Sequence, residues 1–171
     1  MLHVYTGGGK GKTTAALGLA LRMLGHGKKV LVCQFLKDGT SGELEALSQF
    51  RNATIWVSGD VQGFYSRMSV TEQEKTRKLV MQEIEGIQEA LSMLQPDMIL
   101  LDELAEAISI GCVNEEAGME LVREAMKYGE VVVTGQKAPK AMIQLADYVS
   151  DIQCVRHPYA KGVDAREGIE Y

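Results

Sequence analysis

Hydrophobic and polar positions divide the chain into short apolar runs separated by segments with helical spacing. Residues 29–35 and 98–101 are nearly continuous apolar runs, which is typical of parallel strands covered on both faces. The other apolar runs are as short as typical strands and are rich in β-favouring residues. The predicted strands are Leu2–Tyr5, Lys29–Phe35, Thr54–Val57, Met98–Leu101, Val131–Val133 and Tyr148–Val155.

Helices are predicted between these strands. Thr13–Leu24 is rich in Ala and Leu, and the glycines at 25 and 27 end it. Ser69–Glu72 fits a capping box, and apolar residues then recur at helical spacing up to Pro96. Further helices are predicted over 43–50, from Asn114 as N-cap to about Tyr128, and over 139–146, with a long loop over 58–68.

This order of elements predicts the fold class. Strands alternating with helices indicate an α/β protein with a doubly wound, mostly parallel sheet and helices on both faces. The 171 residues are 46% hydrophobic and 24% charged, which suits one globular domain. No repeat or linker divides the chain, so we expect a single domain over residues 1–171.

Charge, hydropathy and cysteines exclude several classes of protein. A net charge of -5 without any Lys/Arg run argues against nucleic acid as a partner. No apolar run approaches the roughly 20 residues of a membrane span, and no leader precedes the first strand. Cys33, Cys112 and Cys154 lie far apart, so we expect reduced, buried cysteines in a cytoplasmic protein.

A glycine-rich segment follows the first predicted strand and opens the first predicted helix. This context predicts a phosphate-binding loop, because successive backbone N–H groups and the helix N-terminus face one anion. Lys12 supplies an ammonium, and Thr13 supplies a hydroxyl for Mg²⁺. Thr6 occupies the first glycine position of the usual pattern. The candidate ATP-binding residues are Gly7, Gly8, Gly9, Lys10, Gly11, Lys12, Thr13 and Thr14.

Two acidic residues, Asp102 and Glu103, end the apolar strand 98–101. Ligands of open α/β sheets collect at the carboxyl ends of the strands, so these side chains are candidates for holding Mg²⁺, directly or through water. The alternative is that Asp102 caps the following helix. His157, a single histidine before a proline, favours a structural role over metal ligation.

Several blocks of the sequence resemble one known family, the P-loop ATP:corrinoid adenosyltransferases of the CobA/CobO/BtuR type. The resemblance runs in order from near the first residue to the last, and it includes Thr6 in the loop. The blocks are Val4–Ala16, Gly25–Lys28, Gln34–Lys37, Leu101–Leu104, Thr134–Gly135, Ala138–Pro139, Leu145–Asp147, His157–Tyr159 and Gly168–Tyr171.

The resemblance implies a P-loop NTPase-like (RecA-like) fold and a reaction. The 5′-deoxyadenosyl group of ATP would pass to the Co(I) centre of a corrinoid, with release of triphosphate. Cobalamin, cobinamide and cobyrinic acid a,c-diamide are all compatible substrates. The resemblance also implies Mg²⁺ (or Mn²⁺), a homodimer, and a reductase or other electron donor for Co(II).

Site residues are implied in the same way. The catalytic residues would be Lys12, Thr13 and Glu103, with Mg²⁺ held by Thr13 and Glu103, and Arg22 as a further nucleotide contact. Aromatic residues of a Gly-Phe-x-Trp segment would contact the corrinoid, and here the stretch is Gly63–Ser66. Phe64 matches, Ser66 stands at the tryptophan position, and Tyr65 either compensates or anchors the loop by burial.

Two other functions also fit the residues, the second because Ser66 departs from the family's pattern. A P-loop kinase or ATPase would release ADP or phosphate and would need a residue that orients the acceptor hydroxyl or water. A non-catalytic ATP- or corrinoid-binding module would bind without turnover.

Overall fold

A computed structural model describes residues 1–36, 41–57, 65 and 68–169. Six strands form one parallel sheet in the order β3-β2-β4-β5-β1-β6. The predicted mostly parallel α/β sheet is therefore confirmed. The strands are β1 (Leu2–Thr6), β2 (Val30–Gln34), β3 (Ala53–Val57), β4 (Met98–Asp102), β5 (Glu130–Thr134) and β6 (Tyr148–Asp151).

Helices connect these strands. The long helix α3 begins with the predicted capping box, in which Ser69 and Glu72 exchange side-chain and backbone hydrogen bonds. The Asn114 side chain caps α5 through the N–H groups of residues 116 and 117. The helices are α1 (Lys12–Gly25), α2 (Gly42–Ser48), α3 (Val70–Leu94), α4 (Leu104–Ser109), α5 (Glu115–Ala125) and α6 (Lys140–Leu145).

Both faces of the sheet are covered by helices. Alternate residues of one strand enter different core clusters, as Val32 packs with α1 and α2 while Leu31 and Cys33 pack with α3, α4 and α5. The strands β2 and β4 are buried at every position. Their continuous apolar sequences are thus explained by burial on both faces.

Some sequence predictions differ from the structure. The last strand ends at Asp151 rather than Val155, and α5 ends at Ala125, three residues before Tyr128. Cys33 and Cys112 are buried free thiols as predicted, but Cys154 is exposed, so the prediction that it is buried was wrong. Cys154 lies three residues beyond the end of β6, in a segment whose described residues are mostly exposed.

The sheet order determines which strand ends are neighbours. β5 lies between β1 and β4, so the carboxyl ends of all three meet at one edge of the sheet. That edge carries the glycine-rich segment after β1 and the acidic residues at the end of β4. Two cavities of about 240 and 320 Å³ lie away from this edge, lined by residues such as His3 and Lys29 near the amino ends of the strands.

None of the helices in the described ranges combines the length and the hydropathy that a membrane crossing requires.

Candidate functional site

The glycine loop, Gly7–Gly11, turns the chain from β1 into α1. Gly7 and Gly11 have positive φ angles of 100° and 116°, which other residues adopt only with strain. A Cβ on Gly7 would lie 2.3 Å from a carboxylate oxygen of Asp151, and one on Gly9 would lie 2.7 Å from the carbonyl oxygen of Ile152. Glycine is therefore required both by the turn and by the close approach of the chain after β6.

Backbone hydrogen bonds hold the glycine loop on two sides. The N–H of Gly9 donates to the carbonyl of Ile152 at 2.7 Å, and the N–H of Gly7 donates to the carbonyl of Gln136 at 3.1 Å. The hydroxyl of Thr6 donates to the same Gln136 carbonyl and accepts from the N–H of Ala138. Thr6 thus uses its side chain to fasten the loop to the segment after β5.

The N-terminus of α1, which follows the glycine loop directly, has no side-chain cap. Gly11 is the N-cap residue, and no acidic side chain occupies the first turn. The ammonium of Lys12 donates to the carbonyl of Gly9 at 2.8 Å, within the loop itself. An anion above the loop would meet this ammonium, the helix N-terminus and the exposed side chain of Lys10.

Asp102 at the end of β4 joins the loop to the centre of the sheet. One of its carboxylate oxygens accepts from the hydroxyl of Thr13 at 2.8 Å and from the hydroxyl of Thr134 at 2.7 Å. The Gln34 amide donates to the other oxygen at 3.4 Å. Asp102, Gln34 and Thr134 are all buried, so the buried carboxylate depends on these hydrogen bonds.

Glu103 follows Asp102 in a left-handed conformation, with φ of 64°. Its backbone N–H donates to the hydroxyl of Thr134 at 2.8 Å, and its side chain is half-buried. Glu103 is also the N-cap residue of α4, but its side chain makes no capping bond. The alternative role of Asp102 as the helix cap is not what the structure shows, because its carboxylate faces β2, β5 and α1.

The candidate metal ligands at this edge of the sheet are oxygen atoms, which suit Mg²⁺ better than softer metals. They are the Thr13 hydroxyl and the carboxylates of Asp102 and Glu103. Over the described ranges, no three His, Cys, Asp or Glu side chains are arranged to hold a metal ion by themselves. Mg²⁺ commonly binds through one or two protein oxygens together with substrate phosphates, and these residues fit that mode.

Arg22 is not brought to the loop. It lies in the last turn of α1, nine residues after Thr13 and therefore about 14 Å further along the helix. Burial raises the pKa of the Tyr5 hydroxyl, and the positive charge of Arg22 partly opposes that rise.

Tyr65 lies in the core with 5% of its surface exposed. Its hydroxyl accepts from Arg77 Nε at 2.7 Å and donates to the carbonyl of Gly111 at 3.3 Å. These contacts are what a loop anchor makes, and direct contact between the ring and a corrinoid would require Tyr65 to leave the core. Phe64, the other predicted corrinoid-binding residue, lies outside the described residues.

His157 has a local structural contact. Its Nδ1 accepts the N–H of Tyr159 at 3.2 Å and caps the short 3-10 turn Pro158–Lys161. This contact agrees with the structural role expected from the sequence.

Three residues at the site had no role assigned from the sequence: Thr134, Gln136 and Ile152. Each contacts the loop or Asp102 from the end of a strand, or the segment after it, that is distant in sequence, and Gln136 and Ile152 do so through backbone carbonyls. Thr134 and Gly135, at the end of β5, were recognised in the sequence as a motif. That Thr134 contacts Asp102 on β4 became evident only from the strand order.

Known proteins resemble this chain along its whole length. The family described as ATP:corrinoid adenosyltransferase BtuR/CobO/CobP matches residues 1–171. A corrinoid adenosyltransferase of Pseudomonas aeruginosa is 34% identical, and the aligned part covers all of this chain and 83% of that protein. The corresponding Escherichia coli K12 protein is 35% identical, with 100% and 85% covered. The Salmonella typhimurium protein named corrinoid adenosyltransferase CobA is 33% identical, with 100% and 85% covered.

Proposed function

The chain belongs to the ATP:corrinoid adenosyltransferase family, and from that premise we propose how its residues perform the reaction. The protein is a corrinoid adenosyltransferase with ATP and a corrinoid as substrates. The 5′-deoxyadenosyl group passes from ATP to a corrinoid Co(I). The observation that carries the assignment of the site is the contact between Thr13, at the start of α1, and the buried Asp102 at the end of β4.

The glycine loop is proposed to bind the triphosphate. Its support is the uncapped N-terminus of α1, the glycine backbone over Gly7–Gly11 and the two lysines at positions 10 and 12. Lys12 already donates to a loop carbonyl, so its ammonium lies within reach of an anion that the loop amides would surround. Thr14 and the amides of the first turn complete the proposed binding residues.

Magnesium would be held by Thr13 and Glu103, with Asp102 as a further ligand or through water. Bound there, it would neutralise charge on the triphosphate. The Thr13 hydroxyl donates its proton to Asp102, which leaves its oxygen lone pairs directed away from that carboxylate. Thr134 restrains Asp102 from the opposite side, so the carboxylate orients Thr13 before any ligand arrives.

In the proposed reaction the cobalt of the substrate attacks C5′ of ATP. A Co–C bond forms, the bond between C5′ and its ester oxygen breaks, and triphosphate leaves with the bonding electron pair. Lys12 and the loop amides stabilise the charge that develops on the leaving group. Because cobalt is the nucleophile, the chain's contribution is to orient both substrates and to bind the leaving group.

Phe64 keeps its predicted role as a corrinoid contact, whereas Arg22 lies about 14 Å along α1 from Thr13 and is not assigned to the triphosphate site. For Tyr65 we propose a positioning role, because its ring is buried and its hydroxyl is bonded to Arg77. The aromatic contact with the corrinoid is therefore assigned to Phe64 rather than to Tyr65.

Three features of the protein's surroundings are proposed as well. A homodimer is supported by β6, whose four residues are all exposed although parallel sheets are normally covered on both faces. An electron donor is needed because cobalt must be Co(I) when it attacks. A cytoplasmic location is supported by the two buried free thiols, Cys33 and Cys112.

The test is an anaerobic incubation of the protein with ATP, Mg²⁺ and chemically reduced cob(I)alamin. We expect the corrinoid absorbance to become that of a light-sensitive alkylcobalamin, only when ATP is present. The analogue β,γ-methylene-ATP should support the same reaction as ATP. Adenosyl transfer breaks the C5′–O bond, which the analogue keeps, whereas a kinase or ATPase would have to break the β–γ linkage, which the analogue blocks. An unchanged corrinoid with formation of ADP would establish a kinase or ATPase, and binding without turnover would establish a non-catalytic module.

A further inference from the structure

Gln136 stands at the same sheet edge as the glycine loop but has no assigned role. It follows Thr134 and Gly135 at the end of β5, the strand that lies between β1 and β4. Gly135 has φ of 150°, and a Cβ there would lie 2.3 Å from the backbone nitrogen of Glu106. The chain therefore leaves β5 along one restricted path, past the start of α4.

The backbone of Gln136 is held directly against the loop. Its carbonyl accepts the N–H of Gly7 and the hydroxyl of Thr6, both at 3.1 Å. Two residues later, the N–H of Ala138 donates to the same Thr6 hydroxyl at 3.2 Å. These three hydrogen bonds fix the position of Gln136 relative to the glycine loop.

The side chain of Gln136 extends over the loop. Its Nε2 lies 3.7 Å from the position that a Cβ on Gly8 would occupy, and both residues are exposed. Among the hydrogen bonds of the described residues, those of Gln136 use its backbone carbonyl and not its carboxamide. An amide donor is thus placed beside Gly8, at the outer side of the proposed triphosphate site.

We propose that the carboxamide of Gln136 is a further triphosphate-binding group, donating a hydrogen bond from Nε2 to a phosphate oxygen. This inference rests on the proposed function of the loop. The amide adds a donor without adding charge, so it helps orient the polyphosphate while Lys12 supplies the electrostatic attraction. Its position on the segment after β5 would give the triphosphate a contact from outside the loop and α1.

Binding of inorganic triphosphate with Mg²⁺, measured by calorimetry, tests the proposal apart from catalysis. Gln136→Ala should weaken binding about tenfold, the effect of losing one hydrogen bond to a charged group. Gln136→Glu keeps the size of the side chain but places a carboxylate beside the phosphates, so it should weaken binding further. The affinity for adenosine, which has no phosphate, should be unchanged in both variants.

Two variants serve as matched controls. Gln153→Ala makes the same truncation beside the loop, where the carboxamide is already bonded to Asp151, and should leave triphosphate binding unchanged. Gln82→Glu makes the same charge change on the exposed surface of α3. Triphosphate affinity of Gln136→Ala within twofold of wild type, or an equal loss of adenosine affinity, would overturn the proposal.

The result can be separated from failure of the proposed function. If the wild type binds triphosphate but transfers no adenosyl group, the proposed reaction fails while the effect of Gln136→Ala on affinity still decides this inference. If the wild type binds no triphosphate, the phosphate-binding role of the loop and the role of Gln136 both fail.

Discussion

Two threonine hydroxyls donate to the same carboxylate oxygen of Asp102, one from α1 and one from β5. The hydroxyl of Thr134 in turn accepts the N–H of Glu103. A buried carboxylate that loses a donor keeps its desolvation cost without compensation. The position of Thr13 and the stability of the sheet edge therefore depend on the same few atoms.

The variant Thr134→Val tests this dependence, because it keeps the shape and removes the hydroxyl. We expect the free energy of unfolding to fall by about 1–3 kcal/mol and adenosyl transfer to slow. Urea unfolding and the corrinoid assay measure the two effects. Thr76→Val is the control, since the buried Thr76 hydroxyl donates a weak hydrogen bond to the sulfur of Met68, far from Asp102 in the sequence. Equal stability of the wild type and Thr134→Val would contradict the role given to Thr134.

Lys12→Ala removes the ammonium that lies within the glycine loop. Turnover should fall by about 10²-fold or more, because the charge on the leaving triphosphate loses one of its main stabilising groups. His157→Ala should change turnover much less, since the hydrogen bond of the His157 ring is to the backbone of the local turn after β6. Steady-state rates at saturating ATP measure the turnover of both variants. Equal turnover of Lys12→Ala and the wild type would show that the loop does not bind the triphosphate.

At the scale of elements, Asp97 connects the end of α3 to the start of β4. Its carboxylate accepts the N–H of Lys29 at 2.9 Å and the ammonium of Lys28 at 3.2 Å. Its own N–H donates to the carbonyl of Lys29. The hydrogen bond from the Lys29 N–H, followed by that from Lys28, lowers the pKa of Asp97 below its ordinary value.

A lowered pKa in the folded state gives a defined pH dependence. The carboxylate stabilises the fold at pH values above its unfolded pKa of about 4, and this contribution is lost as the pH falls through the folded value. Asp97→Asn should therefore be less stable than the wild type at pH 7, and the difference should shrink below pH 4. Urea unfolding of both proteins at several pH values from 7 to 3 measures this difference in the free energy of unfolding. A difference independent of pH would contradict the assignment.

The sequence was sufficient to predict most elements because their signals are local. The capping box at Ser69, the cap at Asn114 and the apolar run of β4 each lie within a few residues. The glycine loop was predictable for the same reason. The hydrogen bonds that Thr134 donates and that the Gln136 carbonyl accepts were not predictable, because they join the ends of strands that become neighbours only in the folded sheet. The end of β6 depends on the length of its neighbour β1, which ends at Thr6 opposite Asp151.

At the scale of the whole molecule, β6 and the chain after it form an exposed margin. Every described residue from Asp147 to Ile169 is exposed except Ile152 and His157, and several are large and apolar. The same segment contacts the glycine loop through Ile152. We propose that a second copy covers this margin, which would place the dimer contact next to the triphosphate site.

Val149→Lys tests the dimer contact, because it places a charge on β6 at an apolar residue that is 45% exposed. The wild type should have the mass of a dimer by light scattering, and Val149→Lys should have that of a monomer at the same concentration. Leu79→Lys, on an α3 residue that is 52% exposed, should remain dimeric. A dimeric Val149→Lys would exclude β6 as the contact.

Residues 1–171 are also proposed to fold as a single domain. β1, β2, β4 and β5 are shared by the helices of both faces, since the two core clusters take alternate residues from the same strands. Unfolding should then show one transition by every probe.

The central claim is that ATP is cleaved at C5′ with cobalt as the nucleophile. The most direct test is ³¹P NMR of the products formed anaerobically from ATP and a stoichiometric amount of cob(I)alamin. The account predicts one inorganic triphosphate for each adenosylcobalamin formed, with no ADP. Formation of ADP or orthophosphate in proportion to the ATP consumed would contradict it.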